Sequence, residues 1–205
     1  MPKRILPSEF IEPCLPTVST KVPVGPRWLY EIKHDGYRFQ VKRDDEGVRI
    51  YSRNGYDWTR RFPLIVKGAN QFWVKSITLD GEGVVYDDDG IADFAKLHSR
   101  KCDDQVILYA FDLLELNGKD MRREPLETRR NTLQTLFTRV SHGIQFSEHL
   151  DGNGHEIFQH VCQMGLEGIV AKLRDSPYQS GRSAHWVKIK NPASPAMKRH
   201  DEEAF

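Results

Sequence analysis

Short apolar runs alternate with polar turns along this chain, and the turns carry the clearest local signals. Trp28 to Lys33 reads as a strand. Tyr37 to Lys42 and Val48 to Ser52 flank Asp44-Asp45-Glu46-Gly47, the pattern of a hairpin, and Asn54-Gly55 marks a further turn. Ser76 to Tyr86 predicts a long strand kinked at Asp80-Gly81 and closed by Asp87-Asp88-Asp89-Gly90. Val106 to Leu116 is almost wholly apolar, as a central buried strand should be, and Asn117-Gly118 ends it. Helical spacing covers Phe62 to Gln71, Asp93 to Lys101, Leu126 to Phe137 and His155 to Met164, the last stopped by Gly165. Gly168 to Lys172 and Trp186 to Lys190 read as short strands. Residues 1–26 hold six prolines and predict an irregular arm packed on a domain spanning 27–190, with 191–205 as a loosely attached tail. Strands lead and hairpins recur, so an α+β domain with antiparallel sheets is expected, not a doubly wound parallel one.

Composition narrows the function classes. Of 205 residues, 39% are hydrophobic and 29% charged, which suits one sizeable globular domain. Thirty Lys and Arg against twenty-nine Asp and Glu leave a net charge of +1, so an anionic partner must be held by a local patch. No apolar run reaches membrane-spanning length, and Met1 to Phe10 lacks the apolar region of a secretory signal. Cys14, Cys102 and Cys162 show no metal-binding spacing and read as free thiols of a reducing compartment. No Walker or Rossmann glycine loop is present, so a nucleotide would need another device.

Four stretches carry candidate chemistry. The first is Glu31-Ile32-Lys33-His34-Asp35-Gly36-Tyr37-Arg38, with a lysine at a strand end beside a glycine turn. From residue types alone, a charged hairpin is the simpler reading. The second is Leu79-Asp80-Gly81-Glu82, the third Glu167-Gly168-Ile169-Val170-Ala171-Lys172, and the fourth Trp186-Val187-Lys188-Ile189-Lys190. Strand alternation puts Trp186, Lys188 and Lys190 on one face, with Val187 and Ile189 on the other. Two parallel ammonium groups call for an anion such as a triphosphate above them; the bland alternative is an edge strand guarded by lysines.

These stretches, in this order, resemble the motifs of the covalent nucleotidyltransferases: ATP-dependent DNA ligases, with RNA ligases and mRNA capping enzymes as relatives. Lys33-x-Asp35-Gly36-x-Arg38 is similar to the nucleophile motif. Asp80-Gly81-Glu82, Phe111-Asp112, Glu167-Gly168 and Lys188-x-Lys190 resemble the motifs that follow. Ser52-Arg53-Asn54-Gly55, Leu116-Asn117-Gly118 and Tyr178 through Ser180-Gly181-Arg182-Ser183 look like the ligase part of bacterial end-joining ligases and of small stand-alone bacterial relatives.

The resemblance implies a covalent nucleotidyltransferase fold (the ATP-grasp-like ligase adenylation fold), with antiparallel sheets flanked by helices and the nucleotide between them. It implies that Lys33 attacks the α-phosphate of ATP, forming lysyl-AMP. The AMP then passes to the 5′-phosphate of nicked double-stranded DNA, and the strand is sealed in repair. An ordinary lysine has a pKa near 10.4, so lowering it by ~3 units for attack near pH 7 needs ~4 kcal/mol. Lys188, Lys190 and Mg²⁺ or Mn²⁺ are the implied sources of positive charge.

Residue by residue, the resemblance assigns Glu31 to the adenine amino group and the Ile32 backbone to the base. Phe111 and Val170 stack on the two adenine faces, and Arg38 and Glu82 hold the ribose. Glu82 and Glu167 are the implied metal carboxylates, and Arg53 and Arg182 contact phosphate or DNA. A buried core aromatic is the alternative for Phe111. Arg60-Arg61 and Arg129-Arg130 are candidate DNA-backbone contacts or ordinary surface charge, and Asp87 to Asp89 a solvated turn more readily than a cation site.

Residues 191–205 are too few for the OB-fold that follows the fifth motif in complete ligases. The first chemical step and nick binding are therefore expected to be weak, unless an OB-fold domain or repair protein acts in trans. A catalytically impaired module binding nicked DNA or a repair partner is the alternative reading, with an RNA-ligase or capping-type enzyme as a further one. A bacterial cytoplasmic location, on the nucleoid when acting, is expected.

Overall fold

The computed structural model describes residues 9–88, 90–140 and 142–197. Two sheets face each other. The first contains β1 (Cys14–Val18), β2 (Trp28–Ile32), β9 (Gly168–Leu173) and β10 (Gly181–Lys190), in the spatial order β1-β10-β9-β2. The second contains β3 (Tyr37–Asp44), β4 (Gly47–Ser52), β5 (Ile77–Val84), β6 (Ile107–Leu116) and β7 (Lys119–Asp120), in the order β4-β3-β5-β6-β7. A short β8 (Ile144–Phe146) pairs in parallel with β6. The helices are α1 (Pro63–Ala69), α2 (Phe94–His98), α3 (Leu126–Leu136) and α4 (Gly154–Gln163). None of the described helices is long and apolar enough to cross a membrane.

Local chemistry explains the main elements. The β3–β4 hairpin buries Phe39 and Val41 against Val48 and Ile50, and its turn closes at Gly47, whose φ of +116° suits glycine. The expected kink in β5 is real: its register against β6 slips between Thr78 and Leu79 and again between Asp80 and Gly81. The centre of β6 is buried on both faces because α3 covers one side, as its near-continuous apolar run required.

Three apolar clusters hold the molecule together. One joins Phe39, Ile50, Phe62, Ile65, Leu79, Leu108 and Leu133 around the larger sheet. A second seats α4 on the smaller sheet through Val161, Tyr30, Ile169 and Ala171. The third takes Phe111 and Leu114 from β6, Leu126 from α3, and Leu29, Trp186 and Tyr178 from the other side. It is the floor where the two sheets converge.

Three expectations need correction. The proline-rich arm is not irregular throughout: Cys14–Val18 runs parallel to β10 with a bulge at Pro16/Thr17. Its outer edge is unpaired among the described strands, so Pro16 sits in an edge strand, where its missing N–H is tolerated. Residues 1–8 of the arm lie outside the described residues. Second, Arg129 and Arg130 are neither surface charge nor available to DNA. They are 0% and 2% exposed, on the same helix face as Leu126 and Leu133. Third, the start of the tail is docked: Asn191 and Ser194 are buried, and Asn191 N–H donates to the Glu167 carbonyl at 2.8 Å.

Candidate active site

Lys33 is placed by the end of β2. Its backbone N–H donates to the Gly168 carbonyl at 2.9 Å, tying it to β9. The chain then turns through His34-Asp35-Gly36 into β3. Gly36 is needed there because a Cβ would overlap the Gly83 carbonyl of β5, and one on Gly83 would overlap the Phe39 ring. The glycines therefore let the turn after the lysine pack closely on β5 as it enters β3.

Lys33 Nζ donates to Glu167 Oε2 at 2.6 Å, with side chains only 22% and 9% exposed. On β10, Lys188 faces Val170 and Lys190 faces Gly168 across the ladder. Because β10 lies between β1 and β9, the edge-guard explanation of its lysines does not hold. The Lys188 ammonium is pushed below the usual lysine range by burial, then by Lys33, Lys190 and Arg53 around it. Lys33, Lys190 and Arg53 thus gather around Lys188, an arrangement that favours bound anions.

The cleft has a volume of about 540 Å³ and lies between the sheets. Its lining includes Glu31, Ile32, Lys33, Arg38, Arg53, Glu82, Phe111, Val170, Arg182 and Lys188, so nearly all the candidate residues converge there. Lys190 stands beside Lys188 without lining the cleft. Glu167 reaches Lys33 from a neighbouring cavity of about 730 Å³, which shares Ile32, Lys33, His34 and Phe94 with the first. Arg53 and Arg182 are exposed at the mouth. Arg60 is exposed too, whereas Arg61 pairs with Asp103 at 2.9 Å.

Several side chains are engaged more tightly than their residue types suggest. Arg38 forks onto Asp80 at 2.5 and 2.6 Å and reaches the Cys14 carbonyl at 3.2 Å. Tyr178 donates to the same Asp80 at 2.5 Å. Phe111 is buried and edge-on to Trp186, with Arg38 and Lys172 lying 4.5 and 4.1 Å from its ring centroid. His34 stacks on Tyr109 at 4.3 Å, and burial lowers it to about 4, leaving it neutral near pH 7. Asp87 accepts from the Ile91 N–H at 2.8 Å, forming a turn; Asp89 lies outside the described residues.

Two residues that the sequence did not place at the nucleotide cleft stand at its inner end. Lys172 Nζ donates to Glu31 at 2.7 Å, and Arg130 Nη1 donates to its other oxygen at 2.5 Å. Lys172 was within reach of the sequence, because it shares a strand face with Val170. Arg130 was less so: it falls on the apolar face of α3 with Leu126 and Leu133, but its charge argues for solvent until Glu31 is seen to meet it.

Glu82 lies opposite Arg38 in the β3–β5 ladder. Burial first, then the Glu167 and Asp80 carboxylates, raises it from 4.5 to about 7 against the opposing pull of Lys33 and Arg38. An acid so shifted binds an extra proton in the folded state across that interval, so its contribution to stability falls as pH rises from about 4.5 to 7. Glu82→Gln should therefore stabilise the ligand-free protein by ~1–3 kcal/mol at pH 8, and the gain should vanish below about pH 5. Urea denaturation at both values measures it; an equal gain at both would refute the elevated titration.

Comparison with known proteins decides the family. The family model for the ATP dependent DNA ligase domain matches residues 16–190. The chain belongs to that family. The ligase domain is 38% identical over 186 residues to the multifunctional non-homologous end joining protein LigD of Pseudomonas aeruginosa, covering 89% of this chain and 22% of that protein. It is 39% identical over 166 residues to the Mycobacterium tuberculosis LigD, covering 80% and 22% respectively. The solved structure of a mycobacterial DNA ligase D complexed with ATP and MES matches with a TM-score of 0.78 at 37% identity, over 87% of this chain and 59% of that one. The covalent nucleotidyltransferase fold is thereby established. The ligase domain spans about a fifth of the length of these LigD relatives.

Proposed function

We propose that this ligase domain adenylates itself on Lys33 and passes the AMP to nicked duplex DNA. The supporting observation is the position of Lys33 Nζ, on Glu167 and near Lys188, which Lys190 and Arg53 also surround, in a nucleotide-sized cleft. In the first step Nζ, having given up a proton, bonds to the α-phosphorus and loses its second surplus proton to solvent, while the α–β phosphoanhydride bond breaks and pyrophosphate leaves. Glu167 orients the nitrogen, and Lys188 and Lys190 lower the energy of charge building on the phosphates. At the inner end, Glu31 and the Ile32 backbone meet the adenine edge, while Phe111 and Val170 flank the ring. Arg38, held by Asp80, and Glu82 face the ribose.

Among the described residues no three metal-binding side chains cluster, so any ion would complete its shell with substrate oxygens and water. The residues fit that demand, because Mg²⁺ typically takes one or two carboxylates plus substrate oxygens. Glu82 and Glu167 would hold Mg²⁺ or Mn²⁺, which supplies neutralisation of phosphate charge. The 5′-phosphate of a nick then takes the AMP, and the 3′-hydroxyl displaces it to join the strand. Arg53 and Arg182, exposed at the mouth, suit contacts to the DNA backbone. By likeness to LigD the setting is end-joining repair in a bacterial cytoplasm, with an OB-fold domain or repair protein as partner in cis or trans.

Two reactions test the reading with purified protein: incubation with α-labelled ATP or GTP, and presentation of a nick already carrying 5′-AMP. The expected results are a covalent adduct from ATP and sealing of the pre-adenylated nick. Failure of both would leave a nicked-DNA-binding module in place of an enzyme.

A further inference from the structure

We propose that Arg130 is a positioning residue that sets the cleft's selectivity for a 6-aminopurine over a 6-oxopurine, acting through Glu31 and Phe111. The inference rests on the adenylation reading and adds to it the device that selects the base. Arg130 lies on α3, in the second rank behind the cleft, and does not line it. Its Nη1 donates to Glu31 Oε1 at 2.5 Å and to the Phe111 carbonyl at 3.1 Å. Its Nη2 donates to the Ser147 carbonyl at 2.6 Å and meets His149 Nδ1 at 3.4 Å. One rigid planar fork therefore joins a side chain on β2 to the backbone of β6, one element from each wall of the cleft. Glu31 supplies the polar contact to the base edge, and Phe111 the aromatic face.

The chemistry of the clamp defines what it selects. Arg130 and Lys172 present only donors, so both Glu31 oxygens are accepting and their remaining lone pairs can only accept. An exocyclic amino group at C6 satisfies such a carboxylate. A carbonyl at C6 sets oxygen against oxygen in a buried site. Without Arg130, Oε1 loses its donor and Lys172 alone holds the carboxyl, so the distinction weakens while the lysine and phosphate end stays unchanged. A hydrogen bond to a charged group is typically worth enough to move a ratio by ~10-fold or more.

The test compares ATP with ITP, which differ at the C6 position and its adjacent N1 proton. Adduct formation is followed by intact mass across nucleotide concentrations for the wild type, Arg130→Met, Arg130→Lys, Glu31→Gln, and Glu31→Gln combined with Arg130→Lys. The ATP-to-ITP ratio of kcat/KM should fall by at least ~10-fold in Arg130→Met, through KM for ATP, and by less in Arg130→Lys, which keeps a donor. In the Glu31→Gln background, changing Arg130 should leave the ratio where it stands. A purely structural role would lower both nucleotides equally, and an unchanged ratio in a folded variant overturns the proposal. Should Arg130→Met not fold, Arg130→Lys decides alone. If the wild type forms no adduct, the adenylation reading fails, and the same ratio is read from equilibrium binding of the two nucleotides. There an unchanged ratio overturns the Arg130 proposal by itself, and absence of nucleotide binding overturns both.

Discussion

Lys33→Ala is expected to lower the rate of covalent AMP attachment by at least ~10⁴-fold, because the variant has no atom to bond to phosphorus. The wild-type chain incubated with ATP and a divalent metal should gain the mass of one AMP, and the variant none. Lys33→Arg should be equally inert, since a guanidinium stays protonated. ATP binding should persist in both, because Lys188, Arg53, Glu31 and Phe111 remain in the cleft. Intact-mass spectrometry separates attachment from binding, which a nucleotide titration measures independently. An AMP adduct on Lys33→Ala would move the nucleophile elsewhere and dismantle the assignment of this site.

The largest expected loss of stability comes from a pair well removed from the reacting nitrogen. Arg129 and Asp112 are both 0% exposed and join through two hydrogen bonds of 2.7 and 2.8 Å. Arg129 also donates to the carbonyls of Glu124 and Ser176 at 2.6 and 3.0 Å, and Asp112 accepts from the Leu113 N–H at 2.8 Å. The guanidinium thus pins the start of α3 to β6 and to the loop after β9. Arg129→Met alone strands the Asp112 carboxylate in the core and should cost ~3–5 kcal/mol, read from urea denaturation. Adding Asp112→Leu should recover much of that loss, because two apolar side chains no longer bury a lone charge. A single-variant cost below ~1 kcal/mol would mean the site relaxes enough to admit water, against the packing described.

Much of the site was readable in one dimension because its chemistry rides on strands. A strand places every second side chain on one face, and on β10 Trp186 and Lys188 line the cleft while Val187 and Ile189 join the cluster under α4. The glycine turn beside the lysine was readable too, and in the fold Gly36 sits against Gly83, where a Cβ has no room. The arginines of α3 went unrecognised for the opposite reason. Arg129 and Arg130 have the charge of surface residues, and only their partners Asp112 and Glu31, 17 and 99 residues away, make burial tolerable. The Cys14–Val18 strand was hidden likewise: its prolines argue against a ladder, and its one partner, β10, lies far along the chain.

The sequence by itself therefore determined most of the elements, the α+β class and most of the residues that line the cleft, because periodicity, turn chemistry and ordered motifs are local properties. Only the tertiary structure decided which charges are buried and neutralised, which strand edges are covered, and that Glu31 sits between Arg130 and Lys172. Those outcomes depend on distances between residues remote in the chain, and ion pairing and desolvation respond to such distances, not to composition.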